Sequence, residues 1–397
     1  IEQDRVNRRF NNIYRSSQFE DLSVMSVNAD FAKVIGAKNN LKYGIEFTSN
    51  DVKSTAEKRD IVADTAGKAA TRYPDGENKF MTMAAYITDN YKINDQWNIA
   101  GGLRFSMVNL KSTYVDTTFF PFPFKEAEQK SKAVTGNIGL IFKPGNHWQV
   151  NTLFSTGFRA PNIDDGSKVF ESAGGILIVP NPDLKPEYAY NGEIGLNKIF
   201  NDKLKINAVF FSTTLTNAIV LKDFKYGGKD SVLFGGSLNK VQAMQNANTA
   251  FINGCNLVVA WDLDQNFALK SILNYTHGTY YMSDVRQYVP LDHIAPLQGQ
   301  TGLTYKAKKF EGEIFTRYSA AKKLEDYSPS GEDNLQYATA NGMPGWCTFN
   351  LRTSFQIIKN FKATFAIENI TDNHYRVFAS GISAPGRNFI ISLRYKL

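Results

Sequence analysis

The feature that most constrains this chain is an alternation of apolar and polar residues with a period of two, repeated almost from end to end. In "WNIAGGLRFSM" Trp97, Ile99, Leu103, Phe105 and Met107 share one face, and Asn98, Arg104 and Ser106 take the other. "VTGNIGLIFK", "FNLRTSFQI" and "FKATFAIEN" repeat the pattern. The closing "RNFIISLRYKL" sets Phe389, Ile391, Leu393, Tyr395 and Leu397 against Asn388, Ser392, Arg394 and Lys396. Such a period means β-strands with one apolar face. No amphipathic helix competes with it.

The pattern predicts about fifteen strands, near 20–34, 40–50, 79–92, 97–108, 132–143, 147–158, 187–198, 203–216, 250–262, 266–276, 299–308, 309–318, 346–357, 359–370 and 387–397. A sixteenth falls within 1–15. Their connections alternate between short ("INDQ", "PGN", "FNDK", "DQN", "IKN") and long (51–78, 109–131, 159–186, 217–249, 277–298, 319–345, 371–386). That is the pattern of a transmembrane antiparallel up-and-down β-barrel, with tight turns at one end and extended loops at the other.

The polar face decides between membrane and soluble folds. So many strands whose second face carries Arg, Lys, Glu, Asn and Gln do not pack as a solid core. They line a wet lumen, and the apolar faces meet lipid. Ile99, Leu103, Phe105, Phe349, Leu351, Phe389 and Leu393 are therefore assigned to lipid, and Arg104, Arg352, Glu368 and Arg394 to the lumen. Trp97, Trp148 and Trp261 adjoin short turns in the apolar phase, as an aromatic girdle requires. Trp346 stands at the opposite end and out of phase. Cys255 and Cys347 fall in the outward phase of non-adjacent strands and read as small apolar positions rather than a disulfide.

Composition agrees. The 397 residues are 43% hydrophobic, 13% aromatic and 21% charged. No run reaches the ~18 apolar residues of a membrane helix. The formal net charge of +7 is spread along the chain, without the basic stripe of a nucleic-acid-binding protein. There is no Ser/His/Asp grouping, no phosphate loop and no metal-spaced Cys/His set, so the sequence does not read as an enzyme, and it implies no resident cofactor or metal.

The most distinctive stretch runs from 153 to 196. "GFRAP" is followed some twenty residues later by "NPDLKPE". Prolines bracket a loop, punctuated by Asn181-Pro182 and Lys185-Pro186. These boxes, with the closing "ENITDNHYRVFASGISAPGRNFIISLRYKL", resemble TonB-dependent outer-membrane receptors, and "PLDHIAPLQGQTGLTY" and "NANTAFINGCNLVVAW" are similar to barrel segments of Bacteroidota members. The likeness covers residues 1–397, read as the C-terminal part of the receptor barrel.

What the resemblance implies is a 22-stranded barrel of the cell outer membrane, filled by an N-terminal plug and energised by the TonB–ExbB–ExbD complex through a TonB box. Its ligand is a scarce iron chelate, siderophore or haem. Lipid and lipopolysaccharide surround it. The alternative is a porin-like or structural subunit of a larger outer-membrane complex. The motif residues are Phe158, Arg159, Ala160 and Pro161, then Asn181, Pro182, Asp183 and Leu184. Haem receptors of this kind commonly carry a histidine between the boxes, and "NIDDGSKVFESAGGILIV" has none.

The remaining ligand candidates lie at long loops. His277 with Tyr280 and Tyr281 in "THGTYY", His293 and Arg376 are the best placed, because imidazole and phenolate both ligate haem iron and aromatic rings stack on a catecholate. His374 also lies in a long loop, whereas His147 follows a short turn and reads as structural. "FFPFPF" at 119–124 reads as an aromatic loop tip that packs on neighbouring loops or else touches lipopolysaccharide or ligand. Finally, sixteen strands fall short of the ~22 of plugged transporters. Six more strands and the plug are expected ahead of Ile1, so 387–397 should pair with 359–370 on one side only.

Overall fold

A computed structural model describes residues 2–120, 125–167, 169–172, 175–234, 236–247, 249–283 and 285–396. The elements in chain order are β1 (Glu2–Asn11), β2 (Tyr14–Ile35), β3 (Asn39–Asp60), β4 (Thr65–Lys68), β5 (Asn78–Lys92), β6 (Trp97–Thr113), β7 (Glu126–Gly145) and β8 (Trp148–Arg159). A one-turn helix α1 (Ile163–Gly166) follows, then β9 (Phe170–Ser172), β10 (Ile176–Ile178), β11 (Glu187–Phe200), β12 (Leu204–Thr216), β13 (Ile219–Asp223), β14 (Ser231–Phe234) and β15 (Ser237–Asn246). The chain ends with β16 (Thr249–Asp262), β17 (Phe267–Met282), β18 (Gln287–Pro290), β19 (Gln298–Lys306), β20 (Phe310–Ser319), β21 (Trp346–Ile358), β22 (Phe361–Glu368) and β23 (Asn388–Tyr395).

Eighteen strands form one sheet. Setting aside the short β4 and β18, sixteen run as an antiparallel meander, each paired to its neighbour in sequence. All sixteen predicted strands are present, the one within 1–15 being β1. Among the described residues β23 pairs with β22 alone and β1 with β2 alone, as the sequence leads one to expect. Among the described residues no helix is long and apolar enough to cross a membrane; the strands cross it.

Two expectations change. The alternation of short and long connections breaks at β1–β2, which are joined by only Asn12 and Ile13 at the end where the long loops lie. Asn12 takes a positive φ of 55°, which lets the chain reverse tightly. β2 and β3 are 22 residues each, so much of the predicted 51–78 loop continues as strand. Secondly, the 159–186 and 217–249 loops are not irregular. They form a separate five-stranded sheet, in which β10 lies parallel to β15. Hydrophobic runs of three to five residues are too short to show a period, which hides such strands from sequence reading.

The two faces follow the pleat. Leu103, Phe105, Phe349, Phe389 and Leu393 are exposed outward, while Ile99 and Leu351 on the same face are half-buried among neighbours. On the other face Arg104 donates to Glu46 at 2.5 Å, and Arg352 lies 3.5 Å from Glu313, its partner in register. Glu368 and Arg394 share that face by register. Gly44 shows why glycine recurs here. A Cβ would meet Tyr86 Cε1 at 2.8 Å, and its absence lets Tyr86 lie across β3 and donate to Asp30 at 2.5 Å.

At the short-turn end the outward face is aromatic. Trp97 stacks on Phe142 at 4.0 Å, Phe31 on Tyr43 at 5.3 Å, and Phe267 tilts against Tyr305 at 4.9 Å; each is a cross-strand pair. Lys198 snorkels over Trp148, 5.0 Å from its ring. The turns are set locally. Asn94 accepts from the amides of Gln96 and Trp97, and Asp264 accepts from Asn266 and Phe267, so "NDQW" and "DQNF" are the same side-chain-capped turn. His147 lies within the turn rather than after it: with Asn146 it has φ above zero, the geometry of a type I′ hairpin.

Candidate functional site

The functional tier sits where the long loops converge. All three buried hydrophobic clusters lie there, and the wall has none among the described residues. One cluster, Phe120, Leu177, Val179, Val241 and Ala243, holds the five-stranded sheet together. Phe120 therefore packs on neighbouring loops, its ring 4.9 Å from Tyr226; residues 121–124 of the aromatic tip lie outside the described residues. Burial pushes the Tyr114 and Tyr226 hydroxyls above their usual range.

The FRAP box ends β8 and starts this tier. Arg159 lies 2.7 Å from Asp165 and 3.5 Å from Glu187. Asn162 caps α1 through the amides of Asp164 and Asp165, and Asp165 reaches back to the Asn162 amide at 3.0 Å, closing a capping box. Pro161 is buried, and Phe158 packs on Tyr188 with ring centres 5.5 Å apart. Ala160 is half-buried. The NPDL box is pinned from two sides. Asn181 donates to the Met244 carbonyl at 2.7 Å and accepts from the Asp183 amide. Gln129 donates to the carbonyls of Pro182 and Leu184, and Leu184 is buried. Just beyond, Asn246 accepts from the Lys185 amide and donates to its carbonyl, both at 2.8 Å. In this arrangement the NPDL box and Lys185 hold loop 159–186 against loop 217–249, while the FRAP box braces the start of that loop against β11.

The other candidates divide between faces. On β17, His277 and Tyr281 share the outward phase of Tyr275, and Tyr281 packs on Tyr288 at 5.4 Å. Tyr280 points the other way and is wholly buried with Ala218, Val220, Ala247, Ala250 and Val289. His293 is exposed with φ 59°, its amide donating to Asp333 at 2.7 Å. Arg376 is half-buried, donates to the Tyr337 carbonyl at 3.3 Å and lies 4.8 Å over that ring. His374 Nε2 sits 3.0 Å from Ser383 Oγ. His293, through Asp333, and Arg376 thus attach to one loop cluster, where a cavity of about 360 Å3 opens between loops 320–345 and 369–387. Trp346 finds its place here, packed on Tyr375 at 4.3 Å. Lys322, behind the cavity, is held below its usual pKa by burial.

Sequence reading missed Asp165, Glu187, Gln129, Asn246 and Asp333. Only the Asn162–Asp165 capping box carries a local signal. The partners of Gln129 and Asn246 lie 53 to 61 residues away, beyond any local pattern. No group of three or more His, Cys, Asp or Glu among the described residues is arranged to hold a metal ion.

Residues 2–370 match the family profile described as "TonB dependent receptor-like, beta-barrel". The chain belongs to this family. Curated relatives include the "Probable hemoglobin and hemoglobin-haptoglobin-binding protein 4" of Haemophilus influenzae, 23% identical over 76% of this chain, and the "Hemoglobin-haptoglobin utilization protein B" of Neisseria meningitidis, 24% identical over 77%. The chain spans 35% and 40% of their lengths. Among solved structures the copper transporter OprC superposes with a TM-score of 0.77 at 17% identity, over 96% of this chain and 57% of that one. The ferric citrate transporter FecA gives 0.70 at 13% identity, over 99% and 57%. The barrel fold of TonB-dependent receptors and its place in the outer membrane are thereby fixed for the strands described above, within a family of receptors and transporters.

Proposed function

We propose that this barrel wall belongs to a receptor that imports an iron chelate, haem or a ferric siderophore, across the outer membrane. The observation that carries the reading is the likeness, over some three quarters of the chain, to receptors named for haemoglobin and haptoglobin. A wide polar lumen beneath a folded loop tier suits a ligand too large for a porin. In this reading energy comes from the TonB–ExbB–ExbD complex, and the aromatic girdle sits among lipid and lipopolysaccharide.

Of the five candidates, Arg376 and His293, through its Asp333 corner, are the proposed contributors to ligand capture around the cavity, whereas His277 and Tyr281 face outward and Tyr280 is buried in a core. The motif residues Phe158–Pro161 and Asn181–Leu184 act in this reading by fixing the loops rather than by touching iron. Arg159 is engaged by two carboxylates, and the sequence between the boxes offers no imidazole. Growth of a deletion strain on haem, on ferric siderophores and on inorganic iron tests the proposal. Loss of growth on one chelated source, matched by loss of the same growth on deleting TonB, is expected. Undiminished growth on every source would overturn it in favour of a porin-like or structural subunit.

A further inference from the structure

The cavity between loops 320–345 and 369–387 has a composition unlike the rest of the tier. Four aromatic rings, Tyr327, Tyr337, Trp346 and Tyr375, stand in its walls. Between them are short hydrogen-bonding side chains, notably Asn334, Asn373 and Ser383. One guanidinium, Arg376, completes it. Its ~360 Å3 is at the small end of the roughly 300–1,000 Å3 of ligand clefts.

Arg376 is the informative residue. A half-buried guanidinium normally faces a carboxylate, because desolvating the charge is otherwise costly. Arg376 has no carboxylate within ion-pair distance among the described residues; it has only the Tyr337 carbonyl and ring. Its Nε and the indole Nε1 of Trp346 are buried with no hydrogen-bond acceptor. The one acidic wall residue, Asp333, is engaged elsewhere, accepting from the amides of His293 and Ser328 at 2.7 and 2.8 Å. The wall thus offers two unmatched donors, Arg376 Nε and Trp346 Nε1, beside an Asp333 carboxylate whose two oxygens are both engaged.

We infer that this cavity is a binding site for an acidic sugar, a single ring bearing a carboxylate or a phosphate. The aromatic rings give flat surfaces against which the C–H faces of a pyranose pack. The Asn and Ser groups suit its hydroxyls. The Arg376 fork takes the anion in a charge-assisted, potentially bidentate contact. A neutral sugar would leave the guanidinium unmatched. A flat apolar ligand would leave the fork unmatched, although the Asn334 and Asn373 amides are already held by the Ala379 and Cys347 carbonyls. The cavity and its Arg376 are those proposed above for ligand capture, and the ligand chemistry named for them holds whichever chelate the lumen passes.

The test titrates the protein, purified from outer membranes in detergent, with glucuronate, glucose 1-phosphate and glucose, by calorimetry and by ligand-observed NMR. At least one anionic sugar should bind tenfold or more tightly than glucose, and which one does so identifies the anion. Arg376→Gln should lower that affinity at least tenfold and leave glucose unchanged. Arg376→Lys should recover part of the loss. Tyr375→Leu, with an unaltered circular dichroism spectrum, should weaken all sugars alike. Failure of both anionic sugars to bind, equal binding of glucose, or an Arg376→Gln protein that binds as the wild type would each overturn the inference.

Discussion

The wall and the loop tier are built for different surroundings, and they are held together differently. In the wall the ladders of sixteen paired strands satisfy the backbone, apolar side chains point away from the sheet, and no buried hydrophobic cluster forms among the described residues. In the tier the order is reversed. Leu177, Val241, Ala243 and Tyr280 are buried in small cores, and Asn, Asp and Gln side chains tie loops together through backbone groups. One chain therefore carries an inside-out and a right-side-out design. Lipid replaces the core in the first, because apolar groups gain nothing by leaving hydrocarbon for one another. Water enforces a core in the second.

The comparison breaks most sharply where a substitution suits one region and not the other. Leu177→Ala should cost about 2–5 kcal/mol in the tier, where its side chain is fully buried. Proteolysis should then open loops 159–186 and 217–249 while the barrel keeps its resistance to heat in detergent. Leu351→Arg reverses the pattern. It places charge in the lipid-facing phase at ~2–4 kcal/mol, so folding into liposomes should fail, whereas Arg352→Leu should insert. Equal insertion of the two would mean that the faces are exchanged.

Arg159→Ala falls between the regions. It removes the cation from two largely buried carboxylates, and about 1.5–3 kcal/mol of local stability should go with it, read as faster amide exchange around α1. Asn94→Ala removes two amide contacts from one turn, with an expected loss of about 0.5–1.5 kcal/mol and no change in topology. The smallest effect is one of pH. Hydrogen bonding from Lys240 lowers the Asp223 pKa. A depressed folded-state pKa adds stability above the unfolded value of about 3.9, and that stability is lost as pH falls below it and through the lower folded-state value. Because both groups are more than half exposed, only slightly faster exchange of β13 and β15 between pH 6 and pH 3 is expected.

The wall was almost entirely legible in the sequence because each strand states its own faces. β5, β6, β11, β12 and β16 start and end within two residues of the alternation, except where β6 runs on to Thr113. The girdle was half legible. Trp97, Trp148 and Trp261 announce it, but Phe142 and Tyr305 join only through register. The tier was not legible, because β9, β10 and β13–β15 are three to ten residues long, and the pairing that unites them, β10 with β15, joins segments far apart in sequence. Tyr280 shows the cost. "THGTYY" reads as one aromatic cluster, yet the pleat sends Tyr280 into a core and Tyr281 to the outer surface.

On the outward side of β2 the greasy residues are Met25, Val27 and Phe31, and on β3 Tyr43, Ile45 and Phe47; beyond them come Ser23 and Asp51. Everything from Tyr14 to Val24 consequently rises clear of the hydrocarbon, roughly 35 Å along the strand at ~3.3 Å per residue. With β1 and the upper part of β3 it makes a laddered mast, stepped into the wall with no hinge at its foot. A load on its tip at Asn12 and Ile13 would be carried as torsion straight down the ladder into the bilayer-embedded sheet, rather than being absorbed in slack chain.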